Sequence, residues 1–238
     1  MDKLTGRLIL NLETITDSKL DWTRIKKMIV IETNHHKYFK KLVKENKTFT
    51  YVGSLADIEF PMALGFRNIK MVDQQYSEEN SIDELIIPKI NMYGSIVKDE
   101  KISSSERMIK VLLENGELCC FHFVSLIIDY GTPYLKMMKE KFSNCKIGEI
   151  SWDSGVLCSF RFSYSDWISE ASKTLSTGGY ILITESPSEL LNGLPPIIRS
   201  SHEFIEHSQL YWKALGFQPK ILTTNLINTG GLFLCEKV

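Results

Sequence analysis

The sequence has no C-x-x-C pair, no excess of charge of either sign, and no apolar run near the ~18 residues that a membrane span requires. Each absence removes a class of function. With 28 basic against 29 acidic residues, no electrostatic footprint for nucleic acid is present. No positively charged, apolar, small-residue leader opens the chain, so neither secretion nor a membrane is expected, and the cytoplasm is the expected compartment. The five cysteines are an odd number. Cys119 and Cys120 are adjacent in an apparent strand and so point to opposite faces, as core residues rather than a disulfide or a metal site. The basic run "HHKYFKKLVK" (35–44) reads as the solvated face of a helix.

What is present is a globular composition, 43% hydrophobic over 238 residues, enough for one α/β domain with an extension. The first 47 residues form the extension: Leu20, Ile25, Met28, Tyr38 and Leu42 recur at helical spacing. Asp17 or Ser18 is expected to cap a first helix and Thr33 or Asn34 a second, and the β-branched run Ile29-Val30-Ile31 argues against one continuous helix. From Thr48 strands and helices alternate. "TFTYVG" reads as a strand, "LADIEFPMALG" as a short helix capped by Gly65, and "NIKMVD" as a second strand. Residues 74–105 read as less regular, with a helix interrupted at Pro88. Asn115-Gly116 between apolar runs is a hairpin signal. Thr132-Pro133 opens a helix, "GVLCSFRF" is a buried strand, and "SDWISEASKTLSTGG" is a helix leading into the strand "YILITES". A helix stopped by Gly216 and a last hairpin, "KILTTNLI-NTGG-LFLCEK", finish the chain.

Two spacings bear on chemistry. Gly53 ends the first strand, where backbone must approach a ligand closely, and Asp73 ends the second, 20 residues on. That separation suits a turn that cradles a nucleotide and an acid that bonds its ribose. By contrast "HEFIEH" (202–207) sets its histidines five apart, about 140° around a helix, so they cannot share one metal. The Gly-Gly pairs at 178–179 and 230–231 precede strands and serve as turns. No metal ligand set emerges.

On these residues the chain resembles the class I S-adenosylmethionine-dependent methyltransferases. "YVGSLAD" stands at the family's glycine-rich first motif and "KMVD" at its ribose acid. "WISEASKTLSTGGYILITES" resembles its passage into the fifth strand, and "ALGFQPKILTTNLINTGGLFLCEK" its closing segment. The resemblance covers residues 48–238 and implies a Rossmann-like, doubly wound, mostly parallel sheet ending in an antiparallel hairpin. It implies S-adenosylmethionine as cofactor, held by Gly53, Ser54, Asp57, Asp73 and Gln74, with Ser159 and Phe160 from the loop after the fourth strand. The first motif departs from G-x-G-x-G: Leu55 and Asp57 hold the second and third glycine positions. Leu55 is expected to crowd a methionine moiety, and Asp57 either bonds the ligand's amino group or caps the helix.

In "SFRFSYSDW" (159–167), aromatic residues can hold a sulfonium or amine by cation–π contact, or Phe160 and Phe162 are core and Trp167 packs the next helix. No N/D-P-P-Y is found there, which argues against methylation of nucleobase or glutamine amino groups. The sulfonium is already a good leaving group, so no catalytic residue is implied. The readings that remain are a methyltransferase acting on a small molecule or peptide, a non-catalytic partner or sensor, and a transferase of the cofactor's aminocarboxypropyl group. The N-terminal helices are expected to cover the strand-end cleft or to mediate a homodimer.

Overall fold

A computed structural model describes residues 22–77, 81–126, 150–152, 177–185, 212–223 and 231–238, with isolated positions beside them such as Leu4, Arg7 and Leu8. The expected strand "GVLCSFRF", the helices after Thr132 and Asp166, and "HEFIEH" lie outside these residues. The chain divides into two compact units, Met1–Ile127 and Ile128–Val238.

Toward its N-terminus the first unit has the helices α1 (Trp22–His35) and α2 (Lys37–Lys44). α1 runs straight through Ile29-Val30-Ile31, against expectation. Its buried stripe is Lys26, Ile29, Val30 and Thr33, spaced three and four apart, so tertiary burial outweighs the modest β-branched penalty. Thr33 does not cap a second helix. Its hydroxyl donates to the Ile29 carbonyl one turn back at 2.7 Å, and His36 holds the N-cap position of α2 without a capping bond from its side chain. Of the expected apolar positions in α2, Leu42 is buried but Tyr38 is exposed, and Phe39 takes the core place. The lysines Lys40, Lys41 and Lys44 face solvent.

Next come β1 (Thr48–Val52), α3 (Glu59–Ala63) and β2 (Asn68–Asp73). α3 is short because Pro61 fits only its first turn and Gly65, at φ +97°, ends it. The Gly65 N–H donates to Met62 O and the Phe66 N–H to Pro61 O, the two bonds of a Schellman cap. A 3-10 turn (Gln74–Ser77), a π turn (Ile82–Ile86) and α4 (Ile87–Asn91) follow, the π turn giving way to α4 just before Pro88. Three strands close the unit: β3 (Gly94–Ser103), β4 (Glu106–Leu113) and β5 (Leu118–Ser125). Their order is β3-β4-β5-β2-β1. β1, β2 and β5 run parallel, while β4 is antiparallel to β5 and β3 to β4. Phe49 on β1 anchors the core, with the rings of Phe66 at 4.9 Å and Phe60 at 6.3 Å.

The second unit holds β6 (Ile150–Trp152), β7 (Tyr180–Glu185), β8 (Phe217–Thr223) and β9 (Gly231–Lys237) in the order β6-β7-β9-β8. β6 is parallel to β7, and β9 is antiparallel to both β7 and β8, so the expected closing hairpin is present. The buried Trp212 meets Phe217 edge-on at 5.1 Å. The architecture is therefore α/β with mixed sheets.

Two details differ from expectation. The β4–β5 hairpin turns on three residues, Glu114-Asn115-Gly116, closed by the Leu113 N–H on Glu117 O at 2.8 Å. Only Gly116 has positive φ, +83°, and a two-residue type I′ turn would need it at Asn115 as well. β3 occupies a stretch expected to be irregular. It is an edge strand, exposed on both faces apart from Gly94 and Ile96, and so shows no apolar alternation.

Gly94 must lack a side chain: a Cβ there would lie 2.3 Å from Leu112 O and 2.8 Å from Leu113 Cα. Gly94→Ala is expected to lower the unfolding free energy by about 2–3 kcal/mol. Gly116→Ala, with open space around it, should lose only about 1 kcal/mol through its left-handed backbone. Urea denaturation of the two variants checks this ordering.

Candidate functional site

The parallel pairing of β1 and β2 places Val52 opposite Val72, so the turn after β1 and the last residue of β2 come together at the carboxyl ends of the strands. Ligands bind at this end of open α/β sheets. Gly53, at φ +68°, starts the turn and donates its N–H to Val72 O at 2.9 Å. Leu55, where the resembling motif has its second glycine, is also left-handed at φ +47°. A leucine there carries strain of about 1–2 kcal/mol that glycine would not.

Three side chains hold this turn. Asp73 accepts the Leu55 N–H on Oδ2 at 2.9 Å and the Gln75 N–H on Oδ1 at 3.0 Å. The Tyr76 hydroxyl donates to Leu55 O, and it lies 2.8 Å from the buried Ser54 Oγ. Asp57 Oδ1 accepts the Phe60 N–H at 3.2 Å and so caps the start of α3. Its Oδ2 forms a buried ion pair with Lys26 Nζ and accepts the Tyr51 hydroxyl at 3.1 Å. The Lys26 ammonium also lies 5.5 Å from the Tyr51 ring centre and 5.6 Å from that of Phe60.

The two acids therefore differ in kind. Asp57 has a cation in contact. Asp73 is equally buried, yet among the described residues no cation is paired with it. Burial raises the Asp73 pKa above the ordinary 3.8, while the N–H bonds from Gln75 and Leu55 oppose the rise. Burial also raises Tyr51 and Tyr76 well above 10.0, so both phenols stay protonated donors.

Of the expected site residues, Gly53, Ser54, Asp57 and Asp73 meet around one turn, and Gln74 follows Asp73 with its side chain exposed. Ser159 and Phe160 lie outside the described residues. Lys26, Tyr51 and Tyr76 were not anticipated. Lys26 could have been found from its spacing, three and four residues before Ile29 and Val30. Each Asp73 oxygen has one amide partner and retains acceptor capacity. Cys119 is buried and its thiol is pushed up to about 12, so it is no nucleophile. Among the described residues no cluster of histidine, cysteine and acid could hold a metal, and no helix is long and apolar enough to cross a membrane.

No protein-family model matches the chain. No curated protein matches it either. Among solved structures it is similar to human N-acetylserotonin methyltransferase in complex with SAM, with 11% identity over 98% of this chain and a TM-score of 0.38. The chain spans 65% of that protein's length. A superposition this loose assigns no role to any residue.

Two expectations follow from the acids. Lys26→Met or Asp57→Asn alone should cost about 3–5 kcal/mol, because each strands a buried polar partner, and the double variant should lose less than the sum. A denaturation cycle giving strict additivity would show that the pair does not couple. Asp73, with its folded pKa above the unfolded 3.8, holds its proton longer in the native state. Its contribution to stability therefore falls as pH rises through the window above 3.8. The stability difference between wild type and Asp73→Asn should shift toward the variant across that window and then level off. A difference moving the other way would mean that the fold stabilises the carboxylate.

Proposed function

We propose that the chain is an S-adenosylmethionine-dependent transferase, a methyltransferase acting on a small molecule or peptide. The observation that carries this reading is Asp73: a buried carboxylate with no cationic partner among the described residues, at the end of β2 and beside the left-handed Gly53 turn. Such a group gains from further hydrogen-bond donors, and paired ribose hydroxyls supply them. In this reading Gly53 and Ser54 face the amino-acid part of the cofactor, Asp73 accepts from its ribose, and Gln74 lies toward its base. The bound cofactor supplies a sulfonium methyl group that leaves readily. The chain's part is to hold that group in line with an acceptor and to keep water away, which needs no acid or base.

A second reading, a non-catalytic partner or sensor, is favoured by how the turn satisfies itself. Asp73 already binds Leu55 and Gln75, Asp57 binds Lys26 and Tyr51, and Tyr76 binds Leu55 O. Isothermal titration with S-adenosylmethionine and S-adenosylhomocysteine separates the two. Micromolar binding is expected, weakened by about 1.5–3 kcal/mol in Asp73→Ala, with circular dichroism verifying that the variant folds. Absence of binding to folded wild-type protein favours the partner or sensor.

A further inference from the structure

A cleft of about 350 Å3 opens between the 3-10 turn, the π turn and the adjoining ends of β3 and β4. Its size falls within the range of small-molecule sites. Gly53, Asp73 and Gln74 do not line it; Tyr76, whose hydroxyl holds the turn described above, is the residue the two places share. Its aromatic wall is Tyr76 and Phe123, edge to face at 5.4 Å. Hydroxyls dominate the rest, from Ser81, Ser103, Ser104 and Ser105.

Ser81 is the informative residue. It is 7% exposed, and its Oγ has no hydrogen-bond partner. Ser103 and Ser105 bond each other at 3.3 Å, but among the described residues nothing answers Ser81. Buried polar groups are nearly always paired, so an unpaired hydroxyl on the wall of a cleft is open to a bond from a molecule bound there.

The charges narrow the class. Two cations, Lys101 and Arg107, and two carboxylates, Asp83 and Glu106, line the cleft. Arg107 is already held by Asp99 and Asp83, at 2.7 and 2.8 Å, and Glu106 by His122 Nε2 at 2.9 Å. An anion would face Asp83 and Glu106; a cation would face Lys101 and Arg107. A neutral ligand carrying several hydroxyls meets neither repulsion. Its hydroxyls match serines that both donate and accept.

We propose that this cleft binds a small, neutral polyhydroxylated ring, a monosaccharide or cyclic polyol, with Ser81 Oγ as its buried contact. The site is independent of the cofactor reading and stands or falls without it. The test is a titration of the isotopically labelled full chain with D-glucose, D-ribose and myo-inositol, followed by amide resonances. At least one probe should give saturable shifts at Ser81, Ser104 and Glu106. Sodium sulfate and lysine hydrochloride at matched ionic strength should give none. Ser81→Ala should bind the same probe about tenfold more weakly. Its melting temperature without ligand should be unchanged or higher, since the lost hydroxyl had no partner. No saturable shift with any of the three, saturation by sulfate or lysine instead, or undiminished binding in Ser81→Ala would overturn the proposal.

Discussion

The buried pair of Lys26 and Asp57 is the contact on which the arrangement of the first unit depends. It joins α1 to a distant stretch of chain, the strand that carries Tyr51 and the turn that follows it at Gly53. Two charges withdrawn from water are tolerable only when each meets the other and their remaining valences are filled. Here the Tyr51 hydroxyl, the Phe60 amide and two aromatic faces complete the shell. The N-terminal helices are thereby fixed against the turn rather than appended to the domain. The turn keeps its shape even though Leu55 adopts a backbone conformation that leucine disfavours.

With Asp57 committed to Lys26, Asp73 is the one of the two acids without a cation among the described residues. The acids belong to one small region but face opposite conditions, one neutralised by an ammonium and one supported by amides. In sequence they look alike. Tyr76 adds a further restraint, since a single phenol bridges Ser54 and the Leu55 carbonyl while its ring turns toward Phe123.

Features decided by local chemistry were legible in the sequence. Gly65 ends its helix because a left-handed residue is needed there, and Gly116 marks its hairpin for the same reason. β1, β2, β7 and the closing hairpin follow from apolar runs bounded by turn residues. Features decided by tertiary partners were not. The continuity of α1 rests on burial of Ile29 and Val30, which outweighs their stiffness. The ion pair joins residues 31 apart, and neither motif nor periodicity encodes a partner at that range. Gly53 and Asp73 were recognisable as a pair by spacing, whereas the part Tyr76 plays in holding the turn depends on the fold that brings it over Leu55.

The outer strand β3 bears on how the molecule behaves in a crowded solution. Its ladder to β4 slips register twice, between Ile96 and Lys98 and again between Lys101 and Ser103, and it carries charges of both signs at Lys98, Asp99, Glu100 and Lys101. An irregular, highly charged rim is a poor template for another chain's backbone. Fibril growth by stacking strands onto this rim would have to straighten both irregularities and bring like charges into register. A molecule that exposes Val97 and Ile102 on its outermost strand is in this way guarded against polymerising along its own sheet.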